Sequence, residues 1–309
     1  MPERTTVTLP DGVRLHVEVS GADDAPVTVF LLHGWTLDTR TWHRQLTGLP
    51  EALGTPVRLV AYDARGHGRS DDTSRPGATL AQLGDDLAEV ISAIAPTGPI
   101  VLAGHSLGGM TIMEFAHGHP RMFAQRVAGL VFISTTAEGH THTAYGLPPR
   151  ITRIIRLAET TGAGILARGG SWRVHRYLLR ALAPSLRWLL FGNRCASEDL
   201  IVTTAAVARA QLTAIGAFRS SVGEQQRLTT LAALGNLPAA ALVGDRDRLT
   251  PPACAESIAG ALPDAELTVC PGAGHMLMLE RPAIVTAALA EVVRAAQGDY
   301  LDPADLQAA

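Results

Sequence analysis

The feature that most constrains this chain is a succession of short apolar runs: Val27 to Leu32, Val57 to Tyr62, Ile100 to Ala103, Val127 to Ile133, Ala239 to Val243 and Leu267 to Val269. Runs of this kind read as strands buried on both faces. Between them lie stretches with helical spacing, such as Leu80, Leu83, Leu87, Val90, Ile91 and Ile94, or Ile284, Val285, Ala288, Leu289, Val292 and Val293. Strand alternating with helix predicts an α/β fold with a mostly parallel, doubly wound sheet. Ahead of it, Val13, Leu15, Val17 and Val19 alternate with polar residues after the turn Pro10-Asp11-Gly12, the pattern of an antiparallel edge hairpin.

The alternation fails between about Ala137 and Gly223, where arginine-rich helical segments follow loop formers at Gly139-His140-Thr141-His142-Thr143 and Gly146-Leu147-Pro148-Pro149. The expected division is a core of residues 1–136 and 226–309 with a helical cap inserted at 137–225. A chain of 309 residues suits one large core with an insertion better than two full domains. Eleven arginines from Arg150 to Arg219 outnumber the five acids of the insertion and leave it at about +6. That charge suits a lid for anionic substrates, but a solvated face on an amphipathic bundle is the preferred reading.

The whole chain carries a net charge of -3 and a pI near 6.4, with no basic field to hold a phosphate backbone, so nucleic acid is not expected as a partner. There is no lysine; all 26 basic residues are arginine, which reads as coding bias. Cys195, Cys254 and Cys270 are odd in number and scattered, so neither a disulfide framework nor a zinc site is indicated. Without a signal-like N-terminus or a long apolar span, a cytoplasmic protein with no integral membrane association is expected. The sequence is compatible with a homodimer, and calls for no metal or organic cofactor.

The sharpest motif is Gly104-His105-Ser106-Leu107-Gly108-Gly109, directly after the run Ile100 to Ala103 and before a helical stretch from Met110 to His117. A serine in G-x-S-x-G at a strand-to-helix turn is a nucleophile elbow. The turn forces strained backbone at Ser106, and small residues two positions either side avoid collision. The helix that follows aims its N-terminal amides at the same spot.

A hydroxyl at its normal pKa needs a base, and the base needs an orienting group. His275, in Pro271-Gly272-Ala273-Gly274-His275 after the last predicted strand, is the candidate base. His67, His105, His117 and His119 are given structural roles. The orienting acid belongs in Gly244-Asp245-Arg246-Asp247, between nucleophile and histidine in the chain. Asp247 is preferred over Asp245, which sits at the strand end and suits loop amides, and Glu138 comes third.

An oxyanion hole needs two preset backbone N–H groups. Leu107 supplies one and Trp35, in Leu32-His33-Gly34-Trp35, the other, although Trp35 also reads as a plain core aromatic. His33, Gly34 and Met276 are the expected contacts to a small-molecule substrate.

Together these residues resemble the α/β-hydrolase superfamily over essentially everything outside the insertion. His33-Gly34-Trp35 is similar to its HG-x oxyanion motif, Asp63-Ala64-Arg65-Gly66-His67-Gly68-Arg69-Ser70 to its D-x-R-G-x-G-x-S loop, and Gly104 to Gly108 to its elbow. The resemblance implies that the acid is the fourth residue of G-x-x-D, Asp247. It disfavours haloalkane dehalogenases and epoxide hydrolases, which place a carboxylate where Ser106 stands. Esterases, lipases, lactonases, thioesterases, perhydrolases and carbon-carbon bond hydrolases remain, with a non-catalytic receptor as the alternative from another class.

Overall fold

The computed structural model describes residues 2–74, 76–142, 145, 150, 153, 162 and 176–300. Strands β1 (Glu3–Thr8) and β2 (Arg14–Gly21) form an antiparallel hairpin, with Val7 opposite Leu15. Six further strands run parallel to one another: β3 (Thr28–Leu32), β4 (Arg58–Tyr62), β5 (Ile100–His105), β6 (Val127–Ile133), β7 (Ala239–Gly244) and β8 (Ala265–Cys270). The spatial order is β1-β2-β4-β3-β5-β6-β7-β8. The chain leaves β3 towards β4 on one side and leaves β5 towards β6 on the other. Where two such connections part, a crevice opens at the carboxyl ends of the strands.

Helices cover both faces. On one side α2 (Leu80–Ile94), α3 (Leu107–Gly118) and α4 (Pro120–Arg126) bury Leu87, Ile91, Met113, Phe115 and Phe123 against Phe30, Val60 and Leu102. On the other, α1 (His43–Leu53) brings Leu49 and Leu53 to the sheet. Each such side chain, taken out of water, contributes about 1.5–3 kcal/mol. Helix α2 spans the residues whose spacing predicted it, and starts where Thr79 Oγ1 accepts the Gln82 amide at 3.1 Å.

Between β6 and β7 the described residues form α5 (Arg176–Leu190), α6 (Ser197–Val207), α7 (Leu212–Glu224) and the short α8 (Leu228–Ala232). After β7 come α9 (Pro252–Ala261), the single turn α10 (Leu277–Glu280) and α11 (Pro282–Tyr300). Helix α11 adds Val285, Leu289 and Val293 to the face that α1 covers. Among the described residues no helix is long and apolar enough to cross a membrane.

One strand departs from its expected environment. The run Leu267 to Val269 reads as buried on both faces, yet β8 ends the sheet, and Leu267 and Val269 are 38% and 41% exposed. Periodicity reports apolar character; it does not report position in the sheet. Of the insertion's aromatics Trp172, Tyr177, Trp188 and Phe191, which the sequence allows to line a pocket or to pack helices, with packing preferred, Trp172 and the side chain of Tyr177 lie outside the described residues, as do the loop formers 146–149.

Candidate active site

Ser106 holds φ 51° and ψ -114°, left-handed backbone that an L-residue adopts only under constraint. The constraint comes from the neighbouring strand: Ser106 N–H donates to Ile133 O at 3.0 Å, and Thr135 Oγ1 donates to Ser106 O at 2.6 Å. Side chains at the flanking glycines would meet backbone. A Cβ on Gly104 would stand 2.4 Å from Gly109 N, and one on Gly108 2.3 Å from Leu32 O. Close approach, more than flexibility, requires glycine at both places.

Asp247 follows β7 and His275 follows β8, and their side chains meet with Nδ1 2.8 Å from Oδ2. A carboxylate only accepts, so Nδ1 carries the hydrogen and the Nε2 lone pair is left for chemistry. Asp247 is held by more than its partner: Oδ1 accepts the amides of Leu249 and Thr250 at 2.9 Å each, and Thr250 Oγ1 donates to Oδ2 at 2.9 Å. Burial pushes its carboxyl up, but the nearby His275 and these hydrogen bonds outweigh burial and hold it below the usual carboxylate value. Asp245 turns elsewhere and accepts the Gly272 amide at 2.7 Å. Glu138 faces His142 at 2.9 Å.

Ser106 and His275 line one cavity of about 220 Å³, together with Trp35, Met110, Thr250 and Met276. Among the described residues no hydrogen bond joins Ser106 to His275. Neither the Trp35 nor the Leu107 backbone N–H donates to a protein acceptor among those residues. His33 and Gly34 do not line the cavity; the His33 ring is spent on backbone, with Nδ1 2.8 Å from Gly34 O and Nε2 accepting the Ala64 amide at 2.9 Å. Of the aromatics in the inserted segment, Phe191 is buried, and Trp188 is 46% exposed beneath the Arg248 guanidinium. The leucines Leu186, Leu189 and Leu190 of α5 line the cavity, as does Tyr145.

A family model described as the alpha/beta hydrolase family matches residues 29–288. The chain belongs to the alpha/beta hydrolase family. This alpha/beta hydrolase is 30% identical over 268 residues to the pimeloyl-(acyl-carrier protein) methyl ester esterase of Aromatoleum aromaticum, covering 85% of this chain and 97% of that one. It is 35% identical over 128 residues to a bifunctional esterase/perhydrolase of Acinetobacter calcoaceticus, covering 41% of this chain and 43% of that protein. A thermophilic esterase from Thermogutta terrifontis has the same fold, with a TM-score of 0.74, 27% identity, and coverage of 96% of this chain and 99% of that one.

Two supports of the candidate site escape sequence reasoning. Glu280 lies on α10, and its carboxylate ties two loops together by accepting Gly274 N at 2.8 Å and Gly192 N at 2.9 Å. Burial raises this carboxyl above its ordinary value although both amides act the other way. The available signal was a single acid closing the apolar run Met276-Leu277-Met278-Leu279 just after His275. Thr250 is the second, and only the fold reveals that its hydroxyl reaches Asp247 and stands 3.3 Å from His275 Nδ1. The D-x-R-G-x-G-x-S loop serves structure: Asp63 accepts the Thr39 and Arg69 amides, and buried Arg65 pairs through two nitrogens with Asp86 at 2.6 Å.

Proposed function

We propose that this alpha/beta hydrolase cleaves a carboxylic ester of a small, largely apolar substrate through an acyl-enzyme. Ser106 Oγ attacks the carbonyl carbon and its proton passes to His275 Nε2, while Asp247 stabilises the imidazolium that forms. The oxyanion is received by the N–H groups of Trp35 and Leu107. Collapse expels the alcohol, which takes the proton from His275, and water repeats the sequence to release the acid. The observation that carries this reading is the buried Asp247–His275 pair beside a strained, cavity-facing serine. The gap between Ser106 and His275 fits a resting site, since catalytic hydrogen bonds often tighten only when substrate arrives.

On this reading the inserted segment 137–225 is a cap that walls the acyl pocket, supported by the α5 leucines in the cavity lining. A fluorophosphonate probe should label the protein at Ser106, with the adduct mapped by mass spectrometry. Labelling should vanish in Ser106→Ala and fall sharply in His275→Ala. Full labelling of Ser106→Ala would sink the nucleophile assignment.

A further inference from the structure

We infer that the Thr36 hydroxyl is a third donor to the oxyanion, beside the amides of Trp35 and Leu107, which makes Thr36 a further catalytic residue. This rests on the acyl-hydrolase reading of the same site and adds a residue to it. Thr36 holds φ 64°, left-handed backbone that a β-branched side chain adopts only at a cost, because its Cβ crowds the main chain. The Leu37 N–H donates to Gly34 O at 3.1 Å and closes a four-residue turn in which Thr36 stands third. Turns with positive φ at that place ordinarily take glycine or asparagine. The turn has little room to relax: a Cβ on Gly34 would stand 2.5 Å from His105 Nδ1, and Leu37 is buried in the core.

A side chain kept in such a conformation should have a partner, and among the described residues the Thr36 hydroxyl meets none. Half-buried, Thr36 lines the cavity that holds Ser106 and His275. The other polar side chains of that wall are committed. Thr136 Oγ1 accepts the Glu138 amide at 3.1 Å and meets the Cys254 thiol. Thr250 Oγ1 donates to Asp247, and His105 Nε2 to the His275 carbonyl. Tyr145, His140 and Arg219 have partners of their own.

Position decides what the free hydroxyl meets. Thr36 is bonded to Trp35, one Cα-to-Cα step of about 3.8 Å away, so an oxygen held by the Trp35 N–H lies within reach of a Thr36 side chain facing the same cavity. A hydroxyl rotor turns its hydrogen to suit. The ester carbonyl oxygen offers two lone pairs, whereas the oxyanion of the tetrahedral intermediate offers three and a full charge. A third donor is therefore used fully only after Ser106 has attacked, and it acts on the rate more than on binding.

The test compares turnover of p-nitrophenyl acetate and butyrate by wild type, Thr36→Ser, Thr36→Val and Thr36→Gly. Thr36→Val replaces only the hydroxyl, by a methyl, and should lower kcat by about 100-fold with KM little changed, the loss expected of one oxyanion donor. Thr36→Ser keeps the hydroxyl and should hold most of the rate. Thr36→Gly should raise the urea midpoint by relieving the backbone and still lose rate as Thr36→Val does, a divergence that a merely structural role would not produce. Equal losses in Thr36→Ser and Thr36→Val overturn the hydroxyl's role, as does full turnover by Thr36→Gly. A trifluoromethyl ketone, which becomes an oxyanion on Ser106, gives a readout apart from turnover: its Ki should rise across the variants in the proportion in which kcat/KM falls, and an unchanged Ki in Thr36→Val overturns the contact. A wild type that neither hydrolyses these esters nor labels with a fluorophosphonate overturns the acyl-hydrolase reading and this inference with it. Hydrolysis through Ser106 that Thr36→Val leaves intact overturns this inference alone.

Discussion

The ring of His105 packs 4.8 Å from the ring of His275, centroid to centroid, and its Nε2 donates to the His275 carbonyl oxygen at 2.9 Å. The residue before the proposed nucleophile thus braces the backbone of the proposed base. Burial drives the His105 pKa well below the ordinary histidine value, so the ring stays neutral and does not act as a second base. Its Nδ1 is buried without a partner, against Gly34, where a Cβ would stand 2.5 Å away. His105→Ala should lower stability by about 2–4 kcal/mol through a cavity and a lost hydrogen bond. It should also reduce kcat, since it loosens the base. Steady-state kinetics beside urea melts separate the two effects; an unaltered kcat in the folded variant removes the bracing role.

The two aspartates of the loop after β7 should separate cleanly. Asp247→Asn should lower kcat by about 10⁴, as loss of the orienting acid does in other triads. Asp245→Asn removes a contact to the Gly272 amide at a partly exposed position and should change kcat by less than about threefold, in line with modest surface effects. Reversal of that order in p-nitrophenyl acetate turnover would move the role to Asp245.

Glu280→Ala should leave the amides of Gly192 and Gly274 without their shared acceptor. Each buried donor left unmade costs about 1–3 kcal/mol, so a clear loss of stability should accompany a fall in kcat as the His275 loop loosens. Glu280→Gln, which keeps one acceptor oxygen, should recover part of both. Equal effects of Ala and Gln on melts and turnover would show that the bridge is immaterial.

Acid should weaken the fold through His67. Burial, followed by the neighbouring His33, pulls its pKa down to about 3, while an unfolded histidine titrates near 6.5. Between those values the unfolded chain holds a proton that the native chain refuses. Stability is therefore present above pH 6.5 and lost as pH falls towards 3. At pH 5 the loss from this group is on the order of 2 kcal/mol. His67→Gln should show a shallower decline in urea midpoint between pH 7.5 and 5; an identical decline would assign the acid sensitivity to other groups, His105 first among them.

Much of this architecture was legible because chemistry and position coincide in the chain. The runs at Ile100 and Val127 are strands since nothing polar interrupts them, and the glycines around Ser106 announce a turn that excludes side chains. Positions of residues relative to the cavity were less legible. His33 adjoins the site in sequence, yet both its ring nitrogens are taken by backbone. Arg219 is one arginine among many, and only the fold shows that it lines the cavity. Leu267 looks like core because periodicity carries no information about which strand ends a sheet.

The backbone tension at Ser106 originates in one strand and is restrained by the next, through Ile133 O and Thr135 Oγ1. A chain in which β5 has formed but β6 has not yet docked beside it therefore carries an ordinary, relaxed serine. On the proposed reading of Ser106 as the nucleophile, its strained form requires the assembled sheet and cannot precede it. On that same reading, recovery of probe labelling during refolding should follow the docking of those two strands.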